Sequence, residues 1–310
     1  MSYGYLGADE YFKKTFGKKM FRLSLDGGMT CPNRDGNISY GGCTFCSASG
    51  SGDFAAKRQL TVAAQIEAAK QQVAAKLPKN GAPYGYLAYF QSFTNTYAPV
   101  DYLEKLFTET ISHPEIEGLF IGTRPDCLPD EVLSLLKKLN GIKPVYIELG
   151  LQTANESTAA LINRGYPNSV FENAVLRLQN AGIPVIVHCI LGLPFENQLD
   201  MERTIDYICS LPIHGIKLQL LHILKGTKLA GDYEELCKKQ AFACMQRESY
   251  LDTVVSLVKR IPPHIVIYRL TGDGPRRLLI APEWSTDKKK VHNDLHKKLK
   301  ESNLTCNPNP

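Results

Sequence analysis

Short apolar runs at 21–25, 85–90, 116–122, 145–150, 183–191 and 216–221 alternate with segments of helical apolar spacing, and this alternation narrows the possible folds more than any other feature. The helical segments are 61–77, 100–112, 129–140, 156–164 with 169–180, 197–211 and 232–247. A helix between consecutive strands returns the chain to the same end of the sheet, so the strands run mostly parallel with helices packed outside. Pattern alone leaves a barrel and an open doubly wound sheet as alternatives. Beyond this unit, 251–260 reads as a helix, HIVIYRL at 264–270 as a strand, 271–277 as a turn-rich loop and 287–310 as a basic, then polar tail. The expected division is a basic N-terminal extension at 1–20, an α/β barrel-like unit at 21–250 and a C-terminal extension at 251–310.

The 310 residues suffice for one large core, and 44% hydrophobic with 22% charged residues excludes collagen-like, mucin-like and disordered classes. No run of 18 apolar residues is present and the opening MSYGYLGADEYFKK lacks the apolar segment of a secretory signal, so a cytoplasmic protein with no membrane partner is expected. Nine cysteines, odd in number and mostly scattered, argue against a secreted disulfide framework. The net charge of +5 is uneven: 287–301 holds six lysines against three acids, and Lys13, Lys14, Lys18, Lys19 and Arg22 form a second basic group. Each group reads either as solvated lysines on terminal helices or as a surface that steers a polyanion.

Only Cys31, Cys43 and Cys46 form a local group, within the glycine-rich LDGGMTCPNRDGNISYGGCTFCSASGSGDF at 25–54. Thiolates are soft ligands suited to iron, and three of them on a cubic cluster leave one iron open to a cofactor. Phe45 can wall off such a group or pack on an adenine. Zinc competes, because Cys43 and Cys46 have its two-residue spacing, yet no fourth cysteine or histidine lies nearby. Redox or structural cysteines are the remaining alternative.

The segment resembles the cysteine signature of radical S-adenosylmethionine enzymes, whose last pair encloses an aromatic as Cys43-Thr44-Phe45-Cys46 does. The eleven residues between Cys31 and Cys43 are similar to the long-loop branch related to the elongator catalytic subunit. CPNRDG, GGCTFC, TRPDCL, ELGLQT, HCILGLPFE and LHILKGT resemble one bacterial family within that branch, over 21–284. The resemblance implies a partial (β/α)6 barrel with its chemistry at the C-terminal strand ends. It implies one [4Fe–4S] cluster on Cys31, Cys43 and Cys46, with S-adenosylmethionine chelating the fourth iron. An electron donor such as flavodoxin or ferredoxin then drives cleavage of the sulfonium C–S bond to a 5′-deoxyadenosyl radical.

Further polar groups follow the strands. Gln91, Ser92, Thr94 and Asn95 after 85–90 project toward the cofactor or stabilise a turn. Arg124, oriented by Asp126, binds a carboxylate or phosphate, or the pair starts a helix; Cys127 reads as structural. By resemblance Gln152 and Arg164 meet the cofactor ribose and methionine carboxylate, Phe45 and Gln91 lie beside the cofactor, and Ile190 and Leu193 hold adenine. Glu148, unusual in an apolar strand, needs a polar partner. Glu148, His188 and His222 are the candidate catalytic groups, with a satisfied structural histidine as the alternative for His188. Glu196 is a candidate substrate or helix-cap residue, His222, Lys225 and Thr227 occupy the expected substrate-facing rim, and Arg269, Asp273, Arg276 and Arg277 are a closing group or surface charge. The family association implies remodelling of the 5-carboxymethylaminomethyl group of wobble uridine in transfer RNA toward 5-aminomethyl, with the anticodon arm as partner and a methyltransferase downstream. A small metabolite or protein substrate, and a non-catalytic iron–sulfur or RNA-binding protein, are the alternatives.

Overall fold

A computed structural model describes residues 4–50, 55, 61–272 and 274–302. Asp53, Asp273 and Cys306 lie outside the described residues. In chain order the elements are α1 (Ala8–Phe16), β1 (Lys19–Leu25), α2 (Val62–Val73), β2 (Tyr84–Phe90), α3 (Val100–Ser112), β3 (Ile116–Thr123), α4 (Asp130–Asn140), β4 (Val145–Gln152), α5 (Glu156–Leu161) and α6 (Asn168–Asn180). There follow β5 (Val185–Leu191), α7 (Gln198–Cys209), β6 (Gly215–Leu220), β7 (Ile223–Leu224), α8 (Lys228–Lys238), α9 (Arg247–Arg260), β8 (Val266–Arg269), β9 (Leu279–Ala281) and α10 (Lys288–Glu301).

The main sheet has the order β1-β2-β3-β4-β5-β6-β8, with every pair parallel. It curls into a half-barrel, the partial barrel the family resemblance implies. The sheet is one strand wider than the six-strand expectation, because 266–269 pairs with β6 instead of standing apart in a terminal extension. β7 and β9 form a separate antiparallel pair. Among the described residues no helix is long and apolar enough to cross a membrane.

The helices take up the outer face through regular apolar stripes. α3 buries Leu103, Phe107, Thr110 and Ile111, and α4 buries Val132, Leu135, Leu136 and Leu139, the one-sided spacing that covers a sheet. Asn197 and Asp200 form a reciprocal cap that starts α7. α8 starts at Lys228 rather than 232 because the Thr227 side chain accepts from the Ala230 amide, and it ends before Gln240, which adopts a φ of 53°.

The concave side is layered. Its lower layer is aromatic and aliphatic: Met20, Leu87, Phe120, Tyr146, Ile186, Val266 and Tyr268, with Phe12 inserted from α1. Phe120 and Tyr146 stack at 4.4 Å. α1 touches both β1 and β8, the two edges of the sheet, and the Ile267 amide donates to the Leu6 carbonyl at 2.8 Å, covering the β8 edge. The 1–20 segment therefore holds a helix that plugs the barrel base. It also sends its basic residues away from the cysteines: Lys14 pairs with Glu10 and Lys18 with Glu117, at the N-terminal ends of the strands. The seven residues of β1 separate Lys18 from the cysteine loop by about 20 Å.

Because Phe12 fills the base, Phe12→Ala should leave a cavity there and cost about 3–5 kcal/mol. Urea unfolding followed by circular dichroism checks this, and an unchanged midpoint would show that α1 is not part of the cooperative core.

Candidate active site

A cavity of about 300 Å³ opens at the C-terminal strand ends, and Cys31, Cys43 and Cys46 line one side of it. The cysteine loop is held from several directions. Thr44 donates its amide to the Ile162 carbonyl at 3.0 Å and accepts from the Leu229 amide at 2.9 Å, latching the loop between α5 and α8. Arg34 donates to the carbonyls of Cys46 and Ser47, and Asn163 donates to that of Gly42 at 2.9 Å. Gly42 has a φ of 84°, and a Cβ there would meet Arg34 Nε at 2.8 Å, so both its backbone and its bareness belong to this turn. The Asn33 amide points at Cys43 Sγ, 3.7 Å away.

The second strand's loop is tied in beside it: Thr94 donates to the Thr30 carbonyl and Asn95 to that of Gly122. Gln91 and Thr94 reach the cavity, whereas buried Asn95 braces the loop. Arg124 lines the cavity and grips Asp126 through two bonds of 2.9 and 2.7 Å, the orientation expected of the pair. Burial disfavours its charge, but that carboxylate outweighs it and keeps the guanidinium protonated. Cys127 is buried, and burial pushes its thiol up, consistent with a packing role.

Arg164 lines the cavity and is also tied into the turn after β4. It donates to the carbonyls of Tyr166, Leu151 and Thr153 and to Glu156, so most of its N–H groups already hold the turn after β4. Gln152, with a φ of 64°, and Phe45 and Ile190 do line the cavity. Leu193 does not; it is buried behind the wall in a cluster with Ile162 and Leu221, against which Phe45 and Ile190 pack. His222 lines the rim, while Lys225 is exposed and Thr227 serves as the α8 cap. Glu196 sits behind the site, bonded by the Thr153 hydroxyl, and burial pushes its carboxyl up to about 7. Arg276 donates to the Thr286 carbonyl at 2.7 Å, joining the cavity-lining Gly274-Pro275 segment to the start of α10.

The partner that Glu148 needs is a network of residues spread over the floor. Its fully buried carboxylate accepts from the Tyr89 hydroxyl at 2.6 Å, from Lys217, from His188 Nε2 at 2.7 Å and from Arg22 at 3.5 Å. Burial alone would raise its proton affinity, but Lys217, His188 and Arg22 together hold it well below the carboxylate range. Gln219 lies 2.9 Å from His188 Nδ1. Burial and the nearby Lys217 lower the His188 pKa, and the neutral ring protonated at Nε2 satisfies both neighbours. Lys217, Tyr89 and Gln219 were not singled out from the sequence, and Arg22 was read only as part of a basic group; the signal available was a lysine and a glutamine in the otherwise apolar run 216–221.

The thiols fit a cationic iron–sulfur group. All three come from one loop and face one cavity, and the donor set is soft. Burial, then Cys46 and Cys31, push the Cys43 thiol up to about 12 in the protein alone, a penalty that a positively charged centre removes. Among the described residues no set of three or more His, Cys, Asp or Glu side chains is arranged to hold a single metal ion.

Residues 31–208 match the model of the Radical SAM superfamily and 213–301 that of the Radical_SAM C-terminal domain. The chain is 42% identical to the uncharacterized protein YtqA of Bacillus subtilis over 93% of its own length and 87% of that protein. It is 27% identical to Elongator complex protein 3 of Danio rerio over 54% of its length and 30% of that protein. Its fold is similar to the Methanocaldococcus infernus Elp3 structure, with a TM-score of 0.66 at 15% identity over 93% of this chain and 64% of that one. The family works with a [4Fe–4S] cluster and S-adenosylmethionine. With more than half of its length matched by that model and a cavity lined by three thiols at the open end of a parallel half-barrel, the chain belongs to the radical SAM superfamily.

Proposed function

We propose that this radical SAM enzyme remodels the 5-carboxymethylaminomethyl group of wobble uridine in transfer RNA toward 5-aminomethyl, with Cys31, Cys43 and Cys46 holding its cluster. The observation that carries the reading is the sharing of one cavity by three thiols and a charged floor, on a chain whose motifs follow the elongator-related order. When bound, the cluster and S-adenosylmethionine supply hydrogen-abstraction chemistry. The protein's own part is to hold and shield the reactants. Phe45 and Ile190 give the cavity apolar walls, Gln91 and Gln152 offer hydrogen bonds at its side, and Arg124 keeps a positive charge beside the thiols. Glu148 orients His188, which faces the cavity as a neutral polar group.

An anticodon arm finds positive charge at the same end of the molecule. α10 begins just after Thr286, which Arg276 ties to the cavity rim, so Lys288, Lys289 and Lys290 stand at the rim-side end of that helix. Phosphate contacts there, with the wobble base extruded into the cavity, deliver the substituent to the reaction centre. Flavodoxin or ferredoxin as the electron donor, and a methyltransferase that consumes the aminomethyl product, complete the reading.

The decisive measurement is the nucleoside content of transfer RNA from cells with and without the protein: its loss should raise 5-carboxymethylaminomethyluridine, and an unchanged profile would overturn the substrate. Anaerobic reconstitution should load four irons per chain, while Cys31→Ala, Cys43→Ala or Cys46→Ala each removes or cripples the cluster. Stoichiometric zinc with little iron would overturn that assignment. Replacing Lys288, Lys289 and Lys290 together with alanine should weaken RNA binding and flatten its log–log salt dependence by up to about three charge equivalents, leaving S-adenosylmethionine cleavage without RNA in place. An unchanged slope would remove α10 from the RNA path.

A further inference from the structure

The floor of the half-barrel carries more positive charge than its own acid neutralises. Arg22 and Lys217 both reach Glu148, and Arg269 lines the same cavity from the end of β8; burial holds the Lys217 pKa well below its ordinary value, yet among the described floor residues the two arginines alone outnumber the one carboxylate. The charge of Arg269 acts on His188, Tyr89 and Lys217, which places it beside the network. His188 adds no compensating charge. Lys217 and Glu148 are almost wholly enclosed, and cationic excess in such surroundings is costly without a counter-anion.

Bare backbone frames the approach to this corner. A Cβ on Gly274 would lie 2.9 Å from His222 Cδ2, so only glycine lets this stretch pass so close over the ring at the rim. A flat, two-oxygen anion entering here meets the forked donor set of an arginine, with the Lys217–Glu148 pair beneath it.

We propose that Arg269, backed by Lys217 and His188, forms a carboxylate subsite that receives the acidic end of the substrate's substituent. This rests on the function proposed above and specifies it: the enzyme selects a uridine arm ending in a carboxylate and orients that arm by its charged end. The aminomethyl product lacks the carboxylate and loses this hold, which favours its release. Arg269 is a substrate-binding residue in this scheme, separate from the thiol side of the cavity where Arg124 lies.

The test is binding to cluster-loaded protein, without turnover. The probes are anticodon stem-loops whose wobble uridine carries either the 5-carboxymethylaminomethyl group or its primary amide, with an unmodified stem-loop as reference. Wild-type protein should bind the acid about tenfold more tightly than the amide, the scale of one charge-assisted arginine contact. Arg269→Gln should abolish that preference by weakening the acid while leaving the amide within about twofold and S-adenosylmethionine affinity unchanged. Arg269→Lys should restore part of the preference, since charge returns without the fork. Equal binding of acid and amide by wild type, both tighter than the unmodified RNA, overturns the subsite and leaves the transfer RNA reading standing. Loss of S-adenosylmethionine affinity in Arg269→Gln with the acid preference retained reassigns the residue to the cofactor and overturns the proposal. Failure of both modified RNAs to exceed the unmodified one overturns the reading itself, and the subsite with it.

Discussion

The buried carboxylate of Glu148 is the joint on which the interior of this barrel depends. Its partners come from β1, β2, β5 and β6, so one side chain on β4 connects five of the seven main strands. A buried ion pair adds little net stability over an apolar replacement, but removing one partner leaves the other charged and dry, at a cost of about 3–5 kcal/mol. The network therefore constrains arrangement more than it strengthens the fold. It also divides the half-barrel: below lies the aromatic layer sealed by Phe12, above lies the cavity.

The cysteine loop solves a different problem. Eleven residues lie between Cys31 and Cys43, long enough to wander, and hydrogen bonds to α8 and to the residues that follow α5 restrain the loop. Arg164 belongs to this restraint. Its guanidinium gathers three carbonyls of the turn after β4, while the Arg164 carbonyl accepts from Arg124 at 2.9 Å. Arg124 in turn lies against the thiols and the Tyr166 ring. The two arginines, both lining the cavity, thus couple the loop that carries the sulfur donors to the end of β4.

Position along the strands separates the two basic regions that look alike in composition. Lysines near the start of β1 pair with acids at the base, and those beginning α10 stand on the rim side through Arg276 and Thr286. Since exposed charge is screened within about 10 Å at ordinary salt, the lysines at the base do not reach a ligand at the mouth. Net charge alone carries no such distinction.

Local periodicity determined the strand–helix alternation and the loop bearing Cys31, Cys43 and Cys46, because each of these is written in residues near one another in the chain; the order of the strands in the sheet was left to the fold. The spacing of CPNRDG and GGCTFC was legible for the same reason. Only the tertiary structure decided that β8 joins the main sheet, that α1 plugs its base, and that Arg164 holds a turn while Leu193 sits behind the cavity wall. It alone found Lys217, Tyr89 and Gln219 for Glu148 and His188, partners from 31 to 69 residues away. Glu148 announced the need for a partner by being acidic in an apolar strand, but its identity depends on which inward positions the curl of the sheet brings opposite one another. That curl is set by the packing of all the strands and helices together, so no single segment of sequence contains it.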